Sequence, residues 1–130
     1  MFDIAFAEDR KVVLVRFRQI MCEADFTALD RLGARVRRQA EYDCIVDLTF
    51  VEQVELAAEF VAKRGDLPQA FKDRERIYVV PQPDLKLLVR LYACYQENRG
   101  WRPPTIVRTI DEAFERLCVA AADFRPFALT

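Results

Sequence analysis

Residues 42–48, Tyr-Asp-Cys-Ile-Val-Asp-Leu, are a short and mostly apolar run, which predicts a buried β-strand. Apolar residues then recur at helical spacing, and the helix that they predict ends near Gly65. Arg76 to Val80 is a second run of strand length, closed by Pro81. A strand, a helix and a further strand in this order predict a parallel βαβ unit. The apolar positions of the helix are Val54, Ala57, Ala58 and Val61.

The same alternation extends toward the N-terminus. Phe2 to Ala7 and the β-branched run Lys11 to Phe17 predict two strands joined by a polar turn, which is an opening hairpin. Helical spacing begins after Cys22 and continues to Ala40. The apolar face of that helix is Phe26, Leu29, Leu32 or Gly33, Val36 and Ala40.

The C-terminal half repeats the pattern once more. Pro83 opens a helix that ends near residues 98–100, and residues 105–108 predict a short edge-like strand. Thr109 and Glu112 form a capping box that starts a last helix. The predicted order is β-β-α-β-α-β-α-β-α, which is an α/β fold with a mostly parallel sheet.

The composition excludes several classes of function. The chain has 130 residues, 52% of them apolar and 32% charged, which predicts one globular domain over residues 1–130. The net charge of −1 argues against a surface built for nucleic acid. The sequence contains neither His nor Ser, so a Ser-His-Asp triad, a Cys-His dyad, a His metal site and a phosphoserine switch are all excluded. We therefore expect a protein that is not an enzyme and that has neither a cofactor nor a metal.

The cysteines and the first residues predict where the protein works. Cys22, Cys44, Cys94 and Cys118 form no C-x-x-C pair, so zinc-ribbon and thioredoxin-type spacings are missing. The N-terminus lacks the pattern of a signal peptide, and no apolar stretch reaches the length of a membrane span. These features predict a soluble, cytoplasmic protein without membrane insertion.

The last residues are apolar for a chain terminus. Between Cys118 and Thr130, the sequence carries Phe124, Pro126, Phe127 and Leu129. We expect this tail to pack on the domain itself or on another subunit, so a homo-oligomer is one possible state.

Polar residues near the carboxyl ends of the predicted strands are the first candidate site. In open α/β sheets, ligands favour the crevice beyond these ends. Thr49, Glu52 and Gln53 follow the third strand in a predicted loop, and Asp84 follows the fourth strand. The alternatives are a solvated loop and, for Asp84, a charge that complements the helix dipole. Arg90 could reach a phosphate or a carboxylate, or form an ion pair within the chain.

Three segments carry a family resemblance. They are Ile45-Val-Asp-Leu-Thr49 with Phe50-Val51, Arg76 to Pro81 with residues 84–92, and residues 105–117. In this order they resemble the STAS/SpoIIAA-like superfamily, the fold of the anti-sigma factor antagonists. The resemblance implies a regulatory module that binds a protein partner around residues 49–58. Where regulatory members carry Asp-Ser-Ser-Gly, this chain has Glu55-Leu56-Ala57-Ala58, so the phosphorylated serine is missing and binding would be constitutive or controlled by the partner.

A second branch of the same fold offers the alternative. Arg90-Leu91-Tyr92 resembles a step found in STAS/SEC14-like bacterial domains, which implies a site for a small apolar ligand or lipid. An apolar pocket of several hundred cubic ångströms between helices and sheet would favour this alternative. A filled core with an exposed apolar helix face would favour the interaction module, and an obligate homodimer is the third possibility.

Overall fold

Strands and helices alternate along the residues that the computed structural model describes, which are 1–71 and 73–127. The strands are β1 (Phe2–Ala7), β2 (Val12–Cys22), β3 (Asp43–Glu55), β4 (Arg76–Val79), β5 (Thr105–Val107) and β6 (Arg125–Pro126). The helices are α1 (Glu23–Arg37), α2 (Ala58–Gly65), α3 (Pro83–Asn98) and α4 (Ile110–Leu117), and a 3-10 turn covers Ala121–Asp123.

The strands form one mixed sheet in the order β5-β4-β3-β2-β1-β6. Strands β2, β3, β4 and β5 are parallel neighbours, whereas β1 runs antiparallel to both β2 and β6. The α/β class and the single domain are therefore confirmed, and so is the predicted order of elements as far as α4. Strand β6 was not predicted, because its two residues become a strand only by pairing with β1.

The long pair β2–β3 corrects the sequence prediction. Strand β3 continues through Thr49 to Glu55, so the prediction that Glu52 and Gln53 lie in a loop is wrong. Val54 lies in this strand and not in the following helix, which begins at Ala58. The cause is backbone pairing: residues 18–22 of β2 pair with residues 50–55 across two register shifts. Backbone hydrogen bonds hold these polar residues, so no apolar pattern marks them.

The two faces of the sheet bury different clusters, because successive strand residues point to opposite faces. On the first face, which we call the cavity face, β2 and β3 side chains pack with helices α1, α2 and α3. On the second face, the α4 face, the cluster is smaller and is covered by α4. The cavity-face cluster includes Val15, Phe17, Val46, Phe26 and Val89, and the α4-face cluster includes Leu14, Ile45, Ile77, Val79 and Ala113.

The start of α3 agrees with the sequence prediction, and the start of α4 agrees with it in part. Helix α3 begins at Pro83, with Asp84 in its first turn. At the start of α4, the Thr109 hydroxyl accepts a hydrogen bond from the Glu112 N–H at 3.2 Å. The Glu112 carboxylate accepts from the N–H of Arg108 at 3.4 Å and not from Thr109, so half of the predicted capping box is present.

The C-terminal segment folds back over the sheet as far as it is described. The Phe127 N–H donates to the Ile4 carbonyl at 2.8 Å, and the Phe127 ring lies 5.4 Å from that of Phe6. Phe124 stacks on Phe114 of α4. Residues 128–130, including the predicted tail residue Leu129, lie outside the described residues.

Candidate functional site

The predicted site residues of β3 lie on the exposed part of that strand. Thr49 donates from its hydroxyl to Asp47 at 2.5 Å, and the Gln53 amide donates to Glu55 at 3.0 Å. Glu52 is exposed, and its side chain has no hydrogen bond to the described residues. These contacts join neighbours within one strand, so they organise the surface of β3 and do not form a pocket.

The remaining predicted residues are also exposed. Ala57 caps α2 and Ala58 begins it, while Asp84 and Arg90 lie on α3. The contact between the start of α3 and β3 is made by Gln82, whose amide nitrogen lies within hydrogen-bond distance of three β3 carbonyls. Sequence reasoning missed this glutamine, which covers the edge of β3 where β4 has ended. The three carbonyls belong to Leu48, Thr49 and Val51.

A cavity of about 370 Å³ lies on the cavity face of the sheet. Its floor is formed by β1, β2, β3 and β4, and its walls by α1, the end of α2 and the segment that follows α2. Exposed residues such as Arg37 and Ala70 form part of the lining, so the cavity opens to solvent there. The apolar lining includes Ile4, Phe6, Val13, Val15, Leu29, Leu32, Val36, Tyr42, Val46 and Phe71.

The floor of the cavity carries a fixed guanidinium, that of Arg76 in β4. Arg76 donates to the Tyr92 hydroxyl at 2.7 Å, to the Gln96 side-chain oxygen at 2.9 Å and to the Arg102 carbonyl at 2.8 Å. Gln96 is itself fully buried, and its amide nitrogen donates to the carbonyls of Gly65 and Leu67 at 2.6 and 2.8 Å. Gln96, which accepts from the Arg76 guanidinium, is therefore itself fixed by two hydrogen bonds.

These hydrogen bonds of Gln96 depend on a close approach of α2 and α3. A Cβ atom at Gly65 would overlap the Cβ of Tyr95, so only glycine permits this helix spacing. The spacing brings the Gly65 carbonyl to Gln96. A glycine that sequence reasoning treated only as a helix end therefore also positions the cavity lining.

Arg64 and Tyr78 are two further polar residues of the cavity lining. Arg64 forms a bidentate pair with Asp30 of α1 at 2.7 and 2.9 Å, and its guanidinium lies 4.6 Å from the centre of the Phe26 ring. No hydrogen bond from the described residues reaches the Tyr78 hydroxyl. Burial raises the pKa of Tyr78 well above its usual value, so the hydroxyl keeps its proton at neutral pH. Arg64, Tyr78 and Tyr92 also line a smaller adjoining cavity of about 50 Å³.

Cys44 places a thiol in the cavity. Burial raises its pKa to about 12, which the nearby Arg76 only partly opposes. Because the thiolate is the reactive form, this thiol is a poor nucleophile at neutral pH. The cavity therefore offers Cys44 as an apolar lining group and not as a covalent catalyst.

The α4 face holds its own polar cluster, but that cluster is closed. Asp47 is 1% exposed and accepts from Arg16 at 3.0 Å and from the Thr49 N–H at 3.0 Å. The Arg16 guanidinium also lies 5.5 Å from the centre of the Phe50 ring. Both carboxylate oxygens of Asp47 have partners, so this cluster neutralises itself.

None of the predicted site residues, all of which the structure describes, lines the main cavity. Among the described residues, no group of three or more Cys, Asp or Glu side chains is arranged to hold a metal ion. Within the same ranges, no helix is long and apolar enough to cross a membrane. No protein-family model matches the chain, and no curated protein is significantly similar to it in sequence. Its function must therefore be inferred from its own geometry.

Proposed function

We propose that this protein binds a small, predominantly apolar molecule in the cavity on the cavity face, and that it is not an enzyme. The observation that carries the proposal is the cavity of about 370 Å³ between the sheet and α1, which opens to solvent on one side. Ligand sites in proteins are clefts or cavities that span about 300 to 1,000 Å³. The volume matches a small aromatic molecule or a chain of medium length.

The resemblance to the STAS/SpoIIAA-like superfamily is part of this proposal. The run of alternating strands and helices from β2 to α4, with β2 to β5 in parallel order, supports it. Within that superfamily we favour the SEC14-like branch, because Tyr92 of the Arg90-Leu91-Tyr92 step lines the cavity. All four cysteines are unpaired, which supports a cytoplasmic, reducing location.

Fluorescence titration with N-phenyl-1-naphthylamine tests ligand binding. This neutral dye becomes bright in apolar sites, and we expect saturable binding with one site per chain. Val46→Phe introduces a ring into the cavity floor and should weaken dye binding at least tenfold. Val54→Phe makes the same change at an exposed position of the same strand, outside the cavity, and should leave binding unchanged. Absence of saturable binding, or equal effects of the two substitutions, would refute the proposal.

A second candidate function is binding of a protein partner at the β2–β3 extension, which we define as the end of β2 from Arg18, the end of β3 from Thr49 and the start of α2 at Ala58. The specific observation is that this extension exposes three large apolar side chains among mostly polar ones. They belong to Ile20, Phe50 and Val54. This surface includes the residues that the family resemblance assigns to partner binding. Scattered exposed apolar residues are common on protein surfaces, so we rank this candidate below the cavity.

Affinity capture from a bacterial lysate distinguishes the second candidate. A stoichiometric partner should be lost with Phe50→Asp and with Ala58→Asp. It should be retained with Leu87→Asp, because Leu87 is exposed on α3 and lies outside the extension. A partner retained by all three variants would exclude the β2–β3 extension as its binding surface.

A further inference from the structure

Arg76 is a cation for which the described part of the chain supplies no counter-ion. All three of its hydrogen-bond acceptors are neutral: a phenol, a side-chain amide and a backbone carbonyl. Among the described residues, none of the ion pairs includes Arg76. These neutral acceptors bind three of the five N–H groups of the guanidinium and leave it without an acidic partner.

The other arginines of the cavity lining differ in this respect. Arg64 pairs with Asp30, and Arg74 lies 3.1 Å from a carboxylate oxygen of Asp43. Arg37 has no acidic partner, but it is exposed to water. A partly buried charge is costly unless it is paired, and proteins usually supply the partner. At Arg76 no described residue supplies the partner, and its side chain lines the cavity.

A hydrogen-bond donor, the Tyr78 hydroxyl, belongs to a residue that lines the same cavity as Arg76. Tyr78 lies two residues along β4, so its side chain points to the same face of the sheet as Arg76. Its ring centre lies 6.0 Å from that of Tyr92, which accepts from Arg76, and its hydroxyl has no partner among the described residues. A guanidinium and a free phenol together form a receptor for an oxyanion.

We infer that the ligand of the cavity carries a carboxylate, which pairs with Arg76 and accepts a hydrogen bond from Tyr78, while its apolar body fills the rest of the cavity. This inference rests on the proposed function. A carboxylate suits the site because its two oxygens can use one guanidinium and one hydroxyl at once. The volume selects an aromatic acid or a medium-chain aliphatic acid.

Displacement of bound N-phenyl-1-naphthylamine by octanoate and by 1-octanol at pH 8 tests the inference. The two competitors share one chain length and differ in charge. We expect octanoate to displace the dye at a concentration about tenfold lower than 1-octanol does, although the alcohol is the more apolar compound. A charge-assisted hydrogen bond in a partly buried site gives an effect of about this size or larger.

Arg76→Met keeps the apolar stem and removes the charge. Octanoate and 1-octanol are each measured as displacement of the dye that this variant itself binds, and the advantage of octanoate over 1-octanol should disappear. Arg108→Met removes the same charge from an exposed position and should keep the advantage. Tyr78→Phe removes only the hydroxyl and should reduce the advantage about threefold to tenfold, which gives an answer even if Arg76→Met does not fold.

The outcomes separate the two proposals. If the dye does not bind to the wild-type protein, both the proposed function and this inference fail. If the dye binds but octanoate competes no better than 1-octanol, the cavity binds ligands and the carboxylate inference is wrong. The inference is also wrong if folded Arg76→Met, or Tyr78→Phe, retains the full advantage of octanoate.

Discussion

Arg16 and Arg76 lie on opposite faces of the same sheet, and their guanidinium groups have different partners. On the α4 face, Arg16 pairs with the buried carboxylate of Asp47, which also binds Thr49. On the cavity face, Arg76 is held by neutral acceptors beside open volume. Arg16 thus has an acidic partner within the chain, whereas Arg76 has none among the described residues.

The packing of the two faces follows the same division. The α4 face is filled by small and medium side chains, with Ile45, Ile77 and Ala113 fully buried. The cavity face carries the larger aromatic residues but leaves 370 Å³ unfilled between them. Unfilled volume and an unpaired charge both cost stability. Their coincidence on one face is what indicates a binding site there.

The largest effect is expected on the α4 face. Asp47→Asn removes the counter-charge of Arg16 from a position that is 1% exposed. We expect a loss of about 3 kcal/mol in the free energy of unfolding, measured by urea denaturation, because one member of the ion pair then stays behind unpaired. The double variant Arg16→Met/Asp47→Leu should recover much of this loss. A loss well below about 1 kcal/mol for Asp47→Asn would mean that water compensates Arg16.

The next largest effect on the free energy of unfolding is expected in β3, where two neighbouring residues point to opposite faces of the sheet. Ile45 points to the filled α4 face and Val46 to the cavity. We expect Ile45→Phe to cost about 1–3 kcal/mol through overpacking, whereas Val46→Phe should cost less than about 1 kcal/mol, although it adds more volume. Urea denaturation of both variants measures the difference. Equal losses would show that the volume beside Val46 cannot accept a side chain.

Alternation of apolar runs was enough to predict most of the fold. Residues 42–48 and Arg76 to Val80 do form neighbouring parallel strands, and Pro83 does open α3. The continuation of β3 from Thr49 to Glu55 was not predictable, because backbone pairing with β2 holds those polar residues. For the same reason, Glu52 and Gln53 were expected in a loop.

The residues that line the cavity and the special position of Arg76 could not be predicted from the sequence. Arg76 is one arginine among many, and its acceptors Tyr92 and Gln96 lie 16 and 20 residues away. A sequence does not reveal which arginine is left without an acid. Gln96 was missed as well, although a polar residue on the otherwise apolar face of α3 is a signal that could have been used.

A smaller effect concerns the Cys44 thiol and pH. Its pKa of about 12 in the folded protein lies above the usual value near 9 for an exposed thiol. Between these values the unfolded chain has lost this proton and the folded chain retains it, so stability falls as pH rises. We expect Cys44→Val to lose about 1 kcal/mol less than the wild type between pH 8 and pH 10, measured by urea denaturation. Parallel pH profiles of the two proteins would contradict the raised pKa.

The smallest effect on the free energy of unfolding is expected for Arg76→Met, although replacing a partly buried arginine is ordinarily costly. Arg76→Met removes three hydrogen bonds, which costs stability, and also removes a charge that has no acidic partner among the described residues, which restores it. Because these contributions oppose each other, we expect the free energy of unfolding in urea to change by about 1 kcal/mol or less. Arg16→Met is the matched substitution on the other face and should cost about 3 kcal/mol, because it leaves the buried Asp47 carboxylate unpaired. If Arg76→Met is as costly as Arg16→Met, Arg76 stabilises the fold and its charge is not kept for a ligand.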